Sequence, residues 1–384
     1  MINVAVIGAG AISGFHIEGY LAFPDRCRIV AVADIDKARA EEQIARYGLN
    51  AAAATDVTEV LSGPGIDLAS VCTPPGSHAE ITTALLAAGV HTLCEKPMAP
   101  SLAECDAMIA AAERSGAILS AVAQNRFTTP MMRLKQVLDS GQAGRVLHAR
   151  VDSHWWRGHG YYDLWWRGTW ESEGGGCTLN HAVHHIDALR WMAGPPAEVQ
   201  AIIGNVAHDN SEVEDLSLAI VRFGSGALGQ ITSSVVHHAQ DQRIVFQTER
   251  AEIAMPWAVH ASAAKANGFP EPDEETERAL DALHASLPEV AHAGHAGQID
   301  DVLTAIESPG TPVLVDGRDG RGAIELITSI YKAAITGGRV TLPLADGDPF
   351  RTKDGLLAAA PRFHEKTASV PGFGTNEITT TGGR

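Results

Sequence analysis

Two segments carry the side chains best suited to moving a proton. In CEKP, Cys94 to Pro97, Lys96 follows an apolar strand-like run. At the carboxyl end of a parallel strand, an ammonium can polarise a substrate oxygen, and desolvation beside a cationic ring lowers its pKa into a useful range. A surface lysine anchoring the turn before Pro97 is the competing reading. In EGGGCTLNHAVHHIDALRWMAG, Glu173 to Gly194, the residues Asn180, His184 and Asp187 recur at i, i+4 and i+7. That spacing predicts a shared helical face turned to a cleft, with Ile186, Leu189 and Ala193 on another face buried against a core. A hydrogen-bonded structural His184 is the alternative. Gly194 and Pro195 stop the helix, and the three glycines from Gly174 predict a close backbone approach to a ligand.

A second chemistry is written at the N-terminus. Directly after the first apolar run stands GAGAISG, where Gly8 permits a tight turn and Gly10 lets the backbone approach a pyrophosphate at a helix N-terminus. Ser13 occupies the third glycine position of this fingerprint, which predicts slightly looser helix–strand packing, and a glycine-rich turn of another α/β protein is the alternative. Asp34 lies twenty residues beyond Gly14. Its carboxylate can accept from ribose hydroxyls and would repel a 2'-phosphate, so NAD is the expected cofactor, unless Asp34 only caps the next helix. Gly8, Gly10, Ala11, Ile12, Asp34 and Ile35 are the first cofactor-binding candidates. Thr73, Pro74, Pro75 and His78 of CTPPGSH, with Glu95 and Lys96, join them at the ends of later strands. A third cluster, SHWWRGHGYYDLWWRG from Ser153 to Gly168, holds Trp155, Arg157, Tyr161, Trp166 and Arg167. Aromatic faces stack on sugar CH groups and guanidinium forks hold hydroxyls or an acidic substituent, although the same types mark oligomer interfaces.

These groups need a scaffold. Up to Gln124, short apolar runs alternate with Ala-rich helical runs, which predicts strands at Asn3–Gly8, Arg28–Asp34, Leu68–Thr73, Val90–Glu95 and Ile118–Gln124 in a doubly wound parallel sheet. Helices are predicted from about Ala11, His78 and Ser101. Beyond it, alternating runs at Val146–His154, Val199–His208, Leu216–Phe223, Ala227–Val236 and Arg243–Thr248 predict an open, mainly antiparallel sheet. Helices at Gly297–Glu307 and Gly320–Thr336 cover that sheet or return to the first domain, and Pro270–Glu277 reads as an exposed loop. The fold class is α/β with a C-terminal α+β domain: 1–124 binds the dinucleotide, 125–343 binds substrate and oligomerises, and 344–384 is an extension. With 46 acidic against 29 basic residues, the net charge of -17 speaks against nucleic acid and anionic membranes. No apolar run reaches the ~18 residues of a membrane span, and no leader precedes VAVIG, so a cytoplasmic location is expected. The five cysteines stand singly and read as reduced core residues. His181, His184 and His185 come with no zinc-ligand spacing, and no metal is expected.

Taken together, GAGAIS, Asp34, CTPP, EKP, QNRF at Gln124 to Phe127, WWRG at Trp165 to Gly168 and the GGG-to-His-to-Asp segment resemble the Gfo/Idh/MocA oxidoreductase family over almost the whole chain. The resemblance implies a Rossmann domain, Lys96 and His184 as the catalytic lysine and histidine, Asn125 on the cofactor and Arg126 on the substrate. Asn180 stands where many members carry aspartate. The function implied is NAD-dependent oxidation of a CH–OH group of a sugar, glycoside or polyol at C3 of a pyranoside, by a homo-oligomer, dimer or tetramer. A redox glycosidase using transient C3 oxidation is the first alternative and a non-catalytic NAD-binding sugar sensor the second. His295 and Gln298 resemble another family segment with no role assigned.

Overall fold

The computed structural model describes residues 1–63 and 65–372. Its N-terminal sheet contains β1 (Ile2–Ile7), β2 (Cys27–Ala33), β3 (Ala52–Ala54), β4 (Leu68–Val71), β5 (His91–Cys94) and β6 (Leu119–Ala121) in the order β3-β2-β1-β4-β5-β6. All pairs are parallel. Helices α1 (Ser13–Leu21), α2 (Lys37–Tyr47), α3 (Val57–Ser62), α4 (His78–Ala87) and α5 (Leu102–Ser115) make the crossovers, and α6 (Thr129–Asp139) leads out of the sheet. The order reverses between β1 and β4, so the loops after these strands part and leave a crevice at their carboxyl ends. Strand β3 escapes the sequence pattern because it is three alanines, without the branched or aromatic side chains that mark a strand.

The second sheet has nine strands: β7 (Val146–His154), β8 (Pro196–Gly204), β9 (Leu216–Phe223), β10 (Leu228–Ser234), β11 (Gln242–Thr248), β12 (Ala251–Met255), β13 (Ala258–Ala264), β14 (Pro270–Pro272) and β15 (Val340–Thr341). Their order is β14-β13-β12-β11-β7-β10-β9-β8-β15, antiparallel except for β7 with β10. Three short helices, α7 (Trp170–Glu173), α8 (Cys177–Asn180) and α9 (Val183–Ala193), follow β7. The later helices are α10 (Glu274–Ser286), α11 (Gly294–Glu307), α12 (Gly317–Thr336) and α13 (Lys353–Ala359). The loop expected at Pro270–Glu277 is instead β14 and the first turn of α10. Asp273 accepts from the Thr276 amide, and the acidic residues that looked loop-like sit at the positive end of that helix.

Two helices join the halves. Ile299, Val302 and Leu303 of α11 pack with Ile17 and Tyr20 of α1 on Val4, Val6 and Leu93 of the parallel sheet. Each such buried aliphatic side chain contributes about 1.5–3 kcal/mol. Helix α12 spans both sheets: Ile324, Ile327 and Ile330 belong to a core that runs from Leu102 and Leu119 to Ala149, Val221 and Ile231. Asp316 caps this helix and Asp319 closes a reciprocal capping box, fixing where it begins.

Candidate active site

The crevice is built from strand ends. Gly8 has φ +98°, and a Cβ there would lie 2.6 Å from the Cys72 carbonyl carbon, so the turn admits only glycine. At Gly10 a Cβ would meet nothing within 4 Å; with the adjacent Ala11 and the half-buried Ile12, this leaves a backbone cradle at the N-terminus of α1 that fits a pyrophosphate. Ser13 is fully buried and its hydroxyl donates to the Gly10 carbonyl at 2.7 Å, binding the loop to its helix where a third glycine was missing. Asp34 Oδ2 accepts from the Ala9 amide at 2.8 Å and Oδ1 from the Asp36 amide at 3.0 Å. The cap of α2 is Asp36, not Asp34. Asp34 is half-buried and Ile35 exposed at the end of β2, and the Ala9 contact ties the Asp34 carboxylate to the cradle.

Two cofactor candidates are drawn inward instead. The His78 ring is inaccessible, with Nε2 2.7 Å from the Thr73 carbonyl and Nδ1 2.9 Å from the Pro97 carbonyl. Burial opposes charging it, but Cys94 and these two acceptors outweigh burial and hold its pKa at about 9. It ties the Thr73-Pro74-Pro75 turn to the EKP turn. Glu95 is also buried. Its Oε1 accepts from His16 Nε2 and His295 Nε2, each at 3.1 Å, and its Oε2 from the Lys96 amide at 2.9 Å. Burial would raise this carboxyl, yet the two imidazoles hold it well below the usual carboxylate range. The histidines come from α1 and α11, so the carboxylate pins the end of β5 to both helices. Gln298, one turn on from His295, holds the end of β6 through Ala123, Ser120 and Ala121. His16, Glu95 and His295 are the one group among the described residues whose ligand atoms lie within 4.8 Å of one another, and hydrogen bonds account for that geometry.

Lys96 leaves this anchored strand end and points across to the second domain, where Nζ donates to the Asn180 carbonyl at 3.3 Å. Its pKa is lowered, first by burial and then by Arg167 and Arg157, against an opposing pull from Glu95. It lines a small cavity together with Met98, Val122, Val183, His184 and Asp187. Burial, and next the charge of Lys96, press the His184 pKa well below the ordinary imidazole value, so this ring is a neutral proton acceptor at pH 7.

The expected continuous helix does not form. Helix α8 ends at Asn180, two residues turn the chain, and α9 restarts at Val183. Asn180 Nδ2 donates to the carbonyls of Gly175 and Gly176, at 2.8 and 3.3 Å, so its amide is spent on its own loop and its backbone carbonyl faces Lys96. The glycines approach protein rather than ligand: a Cβ on Gly176 would fall 1.9 Å from the Glu214 carbonyl. Arg126, expected on the substrate, is turned into the protein. At 1% exposure it grips Asp187 through two bonds of 2.7 and 2.6 Å, which fastens α9 to the turn after β6. Asn125 precedes it in the same turn and is half-buried.

The aromatic segment closes the other wall. The Arg167 guanidinium lies 4.1 Å from the Tyr161 ring centre and 3.9 Å from that of Trp166, and pairs with buried Glu173 at 2.7 Å. Arg157 stands over Trp155 and Tyr161 and makes no ion pair among the described residues. The Tyr161 hydroxyl lies 3.3 Å from His181 Nε2. His181 sits at the break between α8 and α9, buried, with Nδ1 unpartnered among the described residues and its pKa depressed by burial, Arg157 and Arg167. It belongs to the site, although the sequence presents it only as a candidate metal ligand.

Residues 2–122 match the model of an oxidoreductase family with an NAD-binding Rossmann fold, and residues 131–254 match the GFO/IDH/MocA C-terminal domain. A myo-inositol 2-dehydrogenase of Thermotoga maritima is 27% identical over 85% of this chain and 94% of its own. A D-glucoside 3-dehydrogenase of Escherichia coli is 25% identical over 89% of this chain and 97% of its own. The WlbA dehydrogenase of Bordetella pertussis, solved with NADH and UDP-GlcNAcA, superposes with a TM-score of 0.75 at 28% identity, covering 90% of this chain and 99% of its own.

Proposed function

The chain belongs to the Gfo/Idh/MocA oxidoreductases, and from that premise we propose that it is an NAD-dependent sugar dehydrogenase acting on C3 of a pyranoside. The observation that carries the chemistry is the pairing of Lys96 and His184 on one cavity. His184, neutral at pH 7, takes the proton of the substrate hydroxyl. Lys96, held by the Asn180 carbonyl, steadies the oxygen with its positive charge as the alkoxide develops. Bound NAD supplies the hydride acceptor. Asn180 contributes through the carbonyl that aims Lys96 rather than through its amide.

The sugar side rests on Trp155, Tyr161, Trp166 and the two arginines. Arg167 is matched by Glu173, whereas Arg157 brings a charge with no counter-ion among the described residues, which suits a substrate carrying a carboxylate. The relative solved with UDP-GlcNAcA supports an acidic sugar, and the relative named for glucoside C3 supports the position. A screen of methyl glucopyranosides, hexuronates and inositols, read by NADH fluorescence, tests both. The expected result is turnover of a pyranoside, with deuterium at C3 appearing in NADH. Turnover of inositols alone, or deuterium transferred from another carbon, overturns the C3 assignment.

A further inference from the structure

The aromatic wall is held from behind by the chain's own tail. Between β7 and α7 the segment makes a 3-10 turn, His159–Asp163, and two isolated bridges, so little of its backbone is fixed by a sheet. Beyond α13 the chain passes along it. The Trp170 indole donates to the Pro361 carbonyl at 2.7 Å, and the Phe363 amide donates to the Glu212 carbonyl at 3.1 Å. The Val370 amide donates to Asp163 and the Val370 carbonyl accepts from Trp165, at 2.8 and 2.9 Å. Between these contacts, Lys366 Nζ donates to three backbone carbonyls, of Tyr162 at 2.8 Å, Leu164 at 2.7 Å and Arg167 at 2.6 Å. An ammonium has three hydrogens, and each finds an acceptor here. The carbonyls it gathers belong to the residue after Tyr161, to Leu164 and to Arg167 itself, whose side chains and neighbours form the wall described above.

We infer that Lys366 is a positioning residue for the sugar: its ammonium draws the turn 161–167 together and sets where Tyr161, Trp166 and Arg167 stand relative to Lys96 and His184. The inference rests on the reading of that wall as the sugar site. Lys366 touches neither substrate nor NAD. It acts through backbone carbonyls, so its loss loosens recognition while the proton-moving pair and the dinucleotide cradle, held by other elements, stay in place. The side chain also behaves as a tethered cation, and a small free ammonium ion can replace its lost end.

The test uses the full chain with Lys366→Met, Lys366→Arg and Lys366→Ala. Amide hydrogen exchange at Trp165 and Arg167 should quicken about tenfold in Lys366→Met, the scale of a lost charge-assisted hydrogen bond. It should stay near wild type in Lys366→Arg, and ethylammonium should slow it again in Lys366→Ala without altering the wild type. The KM of the sugar found in the screen should rise about tenfold with kcat and NAD affinity little changed, the sign of lost uniform binding. Unchanged exchange in Lys366→Met overturns the inference. So does quickened exchange with an unchanged KM, and so does an equal loss of NAD affinity, which would mean general loosening. Exchange is read without substrate, so failure of the tail contact is told apart from failure of the sugar reading.

Discussion

At the scale of single residues, the reading turns on which groups are charged. His184 must be neutral to take a proton, and its lowered pKa keeps it so to the acid side of an ordinary histidine. The kcat/KM for sugar oxidation should therefore hold its plateau as pH falls through about 6.5, the unperturbed imidazole value, and decline only below it. A decline starting above that value contradicts the assignment. Lys96→Met and His184→Ala should each lower kcat by about 100-fold or more, the contribution of a positioned acid or base, with NAD binding intact by titration. Normal turnover in either removes that residue from the mechanism. Asp34, half-buried at the end of β2, does not cap α2, a role that Asp36 takes. Asp34→Ala should weaken NAD by about 1–3 kcal/mol, the range for a lost charged hydrogen bond, and narrow the preference for NAD over NADP. An unchanged NAD/NADP ratio of kcat/KM would deny it that role.

At the scale of elements, the site depends on a buried ion pair that sequence spacing hides. Arg126 sits in the turn after β6 and Asp187 on α9, and their pairing holds the helix that carries His184 against the parallel sheet. Arg126→Met leaves the Asp187 carboxylate buried without a counter-ion and should cost about 3–5 kcal/mol, read as a fall in urea midpoint. A change under ~1 kcal/mol would mean that Arg190 serves Asp187 as counter-ion instead. The two sheets were legible because their strands follow period-2 or continuous apolar patterns, and Val146–His154 and Leu216–Phe223 were read to the residue. The glycine cradle and Lys96 were legible because each follows such a strand. The rest was hidden where partners are remote in sequence. Nothing near Arg126 announces Asp187, nothing near Glu95 announces His295, and the break at His181 interrupts a stripe that spacing alone makes continuous. Those are tertiary choices between burying a charge with a partner and leaving it for a ligand.

At the scale of the whole molecule, one face of the nine-stranded sheet is covered by α9 and α12, while the other leaves Ile202, Leu218, Ile220 and Leu228 half to three-quarters exposed. The strand register places all four on the same face, with Arg150, Arg222 and Gln230 among them. We propose that a second copy covers it. Ile220→Asp should convert an oligomer to monomer by light scattering, and a wild-type monomer at micromolar concentration would refute the proposal. No described helix is long and apolar enough to cross a membrane. The central claim, that the cleft between the two sheets delivers a sugar's hydride to NAD and leaves it there, is tested most directly by stoichiometry. Enzyme, excess NAD and an aryl β-glucopyranoside or glucuronide should yield one NADH for each sugar oxidised, with no aryl alcohol released. Aryl alcohol appearing with only catalytic NAD, together with deuterium uptake from solvent at the carbon beside C3, would show a redox-assisted glycosidase and contradict the account.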